Sequence, residues 1–204
     1  MTKSLLLVGV GGQGTILVSK ILSEGLLEEG YSVKMAEIHG MSQRGGSVTT
    51  QIRFGDQVFS PTVNKGEADV LVSFEKIEGL RYIPMLKKGG TLIINTEEIY
   101  PLPVLSGFEE YPQGVMEEIK SKIDNLVSID AKSVANELGE PRSANIVMLG
   151  LTVKALGIEN IDWVSKIKKF LPAKVHDVNI QAFEKGKLNL LDEIHSGFHN
   201  HEGK

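Results

Sequence analysis

Leu5-Leu6-Leu7-Val8 is an apolar run without alternation, and it predicts a strand buried on both faces over Lys3 to Gly9. A helical period follows, with Ile16, Leu17, Ile21, Leu22 and Leu26 on one side of a helix from about Thr15 to Glu29 that Gly30 ends. Residues Tyr31 to Gly40 return to a strand pattern, with Val33 and Met35 alternating and a turn beginning near His39. Together these elements make one βαβ unit. Val48, Thr50, Ile52 and Phe54 then alternate with Ser47, Thr49, Gln51 and Arg53, and Gly55-Asp56 precedes Val58 and Phe59. That pattern predicts a β-hairpin with one solvated face, inserted into the α/β order.

Buried-strand patterns recur at residues 68–74, 90–96 and 125–130. A helical stretch around Leu80 to Leu86 separates the first two, and a short helix through Ala135 follows the third. From Asn145 onward the period is helical: Ile146 to Leu156, Trp163 to Leu171, and Val175 to about Leu191. Tyr100 to Pro112 carries several prolines and reads as a long surface connection. This order predicts an α/β fold, a Rossmann-like doubly wound, mostly parallel sheet with an inserted β-hairpin and a helical C-terminal third. Residues 1–191 form one domain in this reading, and the polar residues 192–204 a frayed tail.

Composition narrows the picture. The 204 residues suit one domain that buries roughly 70% of its unfolded-state surface, and 41% hydrophobic with 24% charged residues is ordinary for a globular chain. A net charge of -4 announces no face for nucleic acid. No apolar run approaches the ~18 residues of a membrane span, and no signal pattern opens the chain, so the expected location is the cytoplasm. The chain has no cysteine, which excludes disulfides, thiol nucleophiles and cysteine-held iron–sulfur clusters or zinc. Metal centres for electron transfer would have to sit on another chain.

Gly9, Gly11 and Gly14 stand at the G-x-G-x-x-G spacing between a strand and a helix, with Gly12 and Gln13 completing the turn. In that context the glycines permit a tight turn, backbone approach to a phosphate and close helix–strand packing. The alternative is a crossover kept for packing alone. Glu37 lies 23 residues beyond Gly14, near where a nicotinamide enzyme places its ribose-binding acid, so a stand-alone NAD(P) oxidoreductase stays open. No proton-transfer set supports it, since His39 is the only histidine before position 176. A second cluster, residues 39–48, leaves the same sheet edge. Its Arg44, Gly45 and Gly46 offer a guanidinium and exposed amides to a phosphate, or else a flexible hairpin entry with a surface ion pair. No catalytic and no metal-binding residue is assigned; His195, His199 and His201 sit in a tail that cannot preorganise a site. Trp163 reads as core or interface, and Asp130 as a helix N-cap.

The stretches "GVGGQGTILVSKIL", "EIHGMSQRGGSV" and "ADVLVSFEKIEGLRYIPMLKKGG" resemble the gamma-type domain of the 2-oxoacid:ferredoxin oxidoreductases. The residues around His39-Gly40-Met41 and Gln43 to Ser47 are similar to the indolepyruvate branch in particular. "SANIVMLG" (143–150) and "NIQAFEKG" also resemble family segments. The resemblance implies the non-thiamine subunit of an enzyme that oxidatively decarboxylates an aryl pyruvate with coenzyme A, giving an acyl-coenzyme A, carbon dioxide and reduced ferredoxin. It implies a larger alpha subunit carrying thiamine diphosphate, magnesium and iron–sulfur clusters. None of these cofactors would be held by this chain alone. Coenzyme A would be contacted through Gly9, Gly11, Gly12, Gln13, Gly14, Arg44, Gly45 and Gly46. Gamma subunits of pyruvate and other 2-oxoacid enzymes share the domain, and a homo-oligomer of the isolated chain stays open. A chain that works only in a complex should also expose an apolar patch. The expected patch comprises Val58, Phe59 and Pro61, the Met41 turn, and the Tyr100–Pro112 connection, all along the C-terminal edge of the sheet.

Overall fold

The structure is a computed structural model, and it describes residues 2–39 and 46–198. The strands among them are β1 (Lys3–Val10), β2 (Ser32–His39), β3 (Ser47–Gly55), β4 (Ala68–Ser73), β5 (Leu86–Asn95) and β6 (Leu126–Ile129). They form one sheet in the order β2-β3-β1-β4-β5-β6. β1, β4, β5 and β6 pair in parallel, while β3 runs antiparallel to both β1 and β2. Every strand except β3 therefore shares one direction.

The helices are α1 (Thr15–Glu28), α2 (Lys76–Tyr82), α3 (Leu102–Leu105), α4 (Val115–Lys122), α5 (Ala131–Glu137), α6 (Ala144–Leu156), α7 (Trp163–Phe170) and α8 (His176–Phe198). Alternate residues of each strand face opposite sides, so β1 sends Leu5 and Leu7 one way and Leu6 and Val8 the other. The first pair joins Ile52, Phe54, Val72 and Ile93 under α1, α5 and α6. The second joins Leu71, Leu92 and Ile94 under α2 and α4. The fully buried character of Leu5 to Val8 is thus explained by helices on both faces. None of the described helices is long and apolar enough to cross a membrane.

The inserted hairpin needs correction. β3 does not turn back at Gly55-Asp56; residues after Gly55 carry no strand until β4. Instead β3 forms the hairpin with β2 and enters the sheet between β2 and β1. Its alternating polar residues, expected to face water, are covered by the next segment of chain. Gln51 Oε1 accepts from the Val63 N–H at 2.7 Å, and Arg53 Nη1 donates to the Thr62 carbonyl at 3.2 Å. On the same face Thr49 donates to the Tyr82 hydroxyl at 2.8 Å. Gln51 and Arg53 satisfy the backbone of a strap, and Ser47 and Thr49 bond side chains of α2, so these polar positions meet protein rather than water.

The apolar patch also divides. Val58 is buried, and its N–H donates to the Ser32 hydroxyl at the start of β2, at the opposite end of the sheet from the glycine turn. Phe59 is exposed beside Val58 in the chain, while Tyr100, Leu105 and Phe108 are exposed in the connection that leaves the C-terminal end of β5. Only the latter group flanks the expected edge; Met41 lies outside the described residues.

Candidate functional site

The chain leaves β1 through α1 toward β2 on one side of the sheet, and β4 follows on the other. Open α/β sheets bind ligands outside the carboxyl ends of their strands at such a switch point. Here it forms a cleft of about 490 Å³ between the turn Gly11 to Gly14, the strand ends at Phe74, Asn95 and Glu97, and Arg142 and Asn145 at the start of α6.

Gln13 organises the turn. Its Oε1 accepts from the Val10 N–H at 2.8 Å, and its Nε2 donates to the Phe74 carbonyl at 2.6 Å and to Glu97 Oε2 at 3.2 Å. The carboxamide therefore ties the end of β1 to the end of β4. Gly9 lies beneath it: an added Cβ would meet Gln13 Oε1 at 2.8 Å and Phe74 Cβ at 3.0 Å. Gly9 permits close packing and does not line the cleft. Gly11 donates its N–H to the Gly46 carbonyl at 2.9 Å, joining the turn to the far end of the 39–48 cluster. Arg44 and Gly45 lie outside the described residues.

Gly14 is the N-cap of α1, in the left-handed region at φ 79°, and among the described residues no side chain caps the helix. Its first-turn N–H groups are left for another acceptor, and the positive end of the helix dipole favours an anion there. α6 instead continues a 3₁₀ turn, Pro141–Ser143, whose start Glu140 caps by accepting the Arg142 N–H. Glu75, Asp130 and Asp162 cap α2, α5 and α7 in the same way. α4 lacks a cap as well, but it begins at Gly114, away from the cleft. Among the described residues, α1 thus opens uncapped into the cleft.

The charges balance. Glu97 brings a carboxylate to the cleft, and Lys132 Nζ lies 3.1 Å from its Oε1. Asn95 accepts the first N–H of α5 at 3.0 Å and donates to the Phe74 carbonyl at 3.1 Å, so it is a structural bracket. The Ser133 hydroxyl and N–H hold the Asp130 carboxyl below the usual aspartate range, as an N-cap should.

A second group of buried carboxylates anchors both flanks to α2. Glu75 accepts the Tyr111 hydroxyl at 2.7 Å, and Glu78 accepts the Ser47 hydroxyl at 2.6 Å. Burial, and then the Glu75 hydrogen bond, push the Tyr111 phenol well above its ordinary value. Nothing in the spacing of the chain marked these pairs, because partners more than thirty positions apart meet only in three dimensions.

Glu37 does not line the cleft. It pairs in register with Thr50 of β3, so one extra strand, roughly 4.8 Å, separates it from β1. The ribose-binding geometry of a nicotinamide site is therefore not assembled. Asn95, Glu97, Arg142 and Asn145 were not singled out from the sequence. Only Asn145 stood in a recognised stretch, and it is the residue that an added Cβ at Gly14 would strike, with Nδ2 at 2.3 Å.

Fold and cleft together define a doubly wound α/β protein with a glycine-lined cleft at its switch point. The chain belongs to the pyruvate ferredoxin/flavodoxin oxidoreductase family, which it matches over residues 4–188. It is 38% identical to the indolepyruvate oxidoreductase subunit IorB of Pyrococcus horikoshii over 192 residues, 90% of this chain and 93% of the relative. The IorB subunit of Methanothermobacter thermautotrophicus is 35% identical, over 91% of this chain and 96% of the relative. Among solved structures, the pyruvate oxidoreductase subunit PORC of Thermotoga maritima superposes with a TM-score of 0.68 at 25% identity, covering 91% of this chain and 94% of that one. The 2-oxoglutarate:ferredoxin oxidoreductase of Magnetococcus marinus, solved with 2-oxoglutarate, coenzyme A and succinyl-CoA bound, shares the fold at a TM-score of 0.69 and 20% identity. That match covers 92% of this chain and 31% of the Magnetococcus chain. The present chain is accordingly an oxidoreductase subunit of this family.

Proposed function

We propose that this chain is the thiamine-free, cluster-free small subunit of an indolepyruvate (aryl pyruvate):ferredoxin oxidoreductase. The reaction joins the acyl group left by decarboxylation of the 2-oxoacid to the coenzyme A thiol, releases carbon dioxide, and passes the electrons to ferredoxin. Thiamine diphosphate, magnesium and iron–sulfur clusters belong to a larger alpha subunit in this reading, and the complex works in the cytoplasm. The observation that carries it is a step in similarity. Four IorB subunits are 33–38% identical to this chain, while common gamma subunits of pyruvate/ketoisovalerate oxidoreductases and a 2-oxoglutarate synthase subunit KorC are 27–30% identical.

The cleft supports a role in holding coenzyme A. Its pyrophosphate suits the uncapped start of α1, where backbone N–H groups from Gly12 and Gly14 onward need no side chain to bind an anion. Gln13 keeps that turn in shape, Gly9 lets it pack, and Gly11 fixes it to Gly46. Arg44 and Gly45, just before Gly46 in the chain, are assigned to the same ligand by their chemistry, a guanidinium followed by two glycines. Arg44→Ala is expected to weaken coenzyme A binding roughly 10- to 150-fold, the range of a charge-assisted phosphate contact. Unchanged affinity in the reconstituted complex would remove Arg44 from the site.

The deciding experiment is co-purification with the native partner, followed by ferredoxin or viologen reduction with indolepyruvate, phenylpyruvate, pyruvate and 2-oxoglutarate. Aryl pyruvates should be preferred, and the isolated chain should be inactive. Turnover by this chain alone would sink the subunit reading, and a preference for pyruvate would move the complex to another branch of the family.

A further inference from the structure

Among the described residues, Arg142 lines the cleft and Lys132 pairs with the cleft-lining Glu97, so each of these cations is tied to a carboxylate of this chain. Lys132 meets Glu97 at 3.1 Å; Arg142 meets Glu140 through Nε at 2.9 Å and Nη2 at 3.2 Å. Opening has a different cost for each pair. The Glu97 side chain is only 23% exposed and already supports Gln13, so losing Lys132 would leave a bare carboxylate beside the glycine turn. An arriving anion would be repelled. Arg142 has a side chain 87% exposed, and its guanidinium has no other partner among the described residues. Glu140, once released, keeps the Arg142 backbone N–H at 3.3 Å and the attraction of Lys174. Exposed ion pairs of this kind contribute little to stability, so this one opens readily.

We propose that Arg142 is a phosphate-binding residue of the cleft, which exchanges Glu140 for a phosphate of the ligand seated on the glycine turn. The proposal rests on the reading of the cleft as a site for a phosphorylated ligand. A guanidinium presents two parallel N–H groups that match two phosphate oxygens. Arg142 lies in the 3₁₀ turn Pro141–Ser143 and lines the same cleft as the uncapped start of α1, so guanidinium and helix dipole favour the same charge. Asn145, nine-tenths buried on α6, lines the cleft, and among the described residues its amide is engaged only in a long 3.5 Å bond to the Gly14 carbonyl. With Glu97 already neutralised by Lys132, the exchange leaves the cleft one positive charge to give an anion. Among the described carboxylates Glu97 lines the cleft and Glu140 is bonded to the cleft-lining Arg142, and neither loses its last partner.

The test is calorimetric titration of the complex, assembled with its native partner, with coenzyme A and with pantetheine, which carries no phosphodiester. Arg142→Gln should weaken coenzyme A binding on the order of 10- to 100-fold and leave pantetheine unchanged. Glu140→Gln, which frees the guanidinium, should tighten coenzyme A binding severalfold. Both variants should keep the wild-type circular dichroism. If the wild type prefers coenzyme A to pantetheine and Arg142→Gln retains that preference in full, the role of Arg142 is overturned while the reading of the cleft stands. If Glu140→Gln weakens coenzyme A binding as Arg142→Gln does, the pair is a structural brace and the exchange is overturned. If the wild type does not distinguish the two compounds, the reading of the cleft fails and this proposal with it.

Discussion

Gly14 combines two demands that no other residue meets. Its φ of 79° is costly for a side chain, and Asn145 Nδ2 occupies the space where a Cβ would be. Gly14→Ala should therefore destabilise the chain by about 2–3 kcal/mol in urea unfolding, adding left-handed strain to displacement of Asn145. Gln13 fails differently. Removing its carboxamide strands the Val10 N–H and loosens the Phe74 carbonyl, so Gln13→Ala should cost about 1–3 kcal/mol and weaken ligand binding beyond that of a neutral surface change. Titration calorimetry beside urea melts separates the two effects. The glycine spacing made Gly14 legible in the sequence. Gln13 was legible only as part of a family motif, because its partners Phe74 and Glu97 are remote in the chain.

At the scale of elements, α6 and α8 meet backbone to backbone. A Cβ at Gly150 would come within 2.2 Å of the Phe183 carbonyl, and one at Gly186 within 2.1 Å of the Val147 carbonyl. Backbone cannot swing aside as a side chain can, so either glycine-to-alanine change must part the helices. We expect Gly150→Ala to cost more than about 2 kcal/mol, with a matching fall in the melting temperature. The N-cap of α5 offers a test with a sign in pH. Its folded-state carboxyl is held below the ordinary aspartate value, so the contribution of Asp130 is complete above about pH 5 and is lost as the pH falls below about 4. Asp130→Ala should cost about 1 kcal/mol at neutral pH, and the gap to wild type should close under acid. A gap independent of pH would contradict the assignment.

For the whole molecule the decisive feature is the position of β3. A surface hairpin would tolerate truncation, whereas a strand between β1 and β2 would not. Ile52 is fully buried and packs in the core beneath α1, so Ile52→Ala should destabilise by about 2–5 kcal/mol. The β3 amides should exchange with solvent as slowly as those of β1, since both strands are paired on each side. Fast exchange across Val48 to Phe54 would return β3 to the surface. Phe108 gives the contrast: its side chain is 86% exposed on the 100–112 connection, and Phe108→Ser should leave the melting temperature of the free chain nearly unchanged.

By itself the sequence determined what depends on neighbours along the chain. Unbroken apolar runs became buried strands, the period of Ile16 to Leu26 became α1, and Asp130, three residues before Ser133, became a cap. The glycine turn was also local, since its shape follows from backbone freedom within six residues. Tertiary structure decided what depends on which partner arrives. Gln51, Thr49 and Arg53 alternate as a solvated strand would, but a strap covers Gln51 and Arg53 and α2 covers Thr49, so the same pattern entered the sheet. The cleft likewise draws one wall from residues 11–14 and another from 142–145. Hydrophobic period and glycine spacing are short-range signals, whereas a cavity is made by long-range packing, which no stretch of chain carries alone.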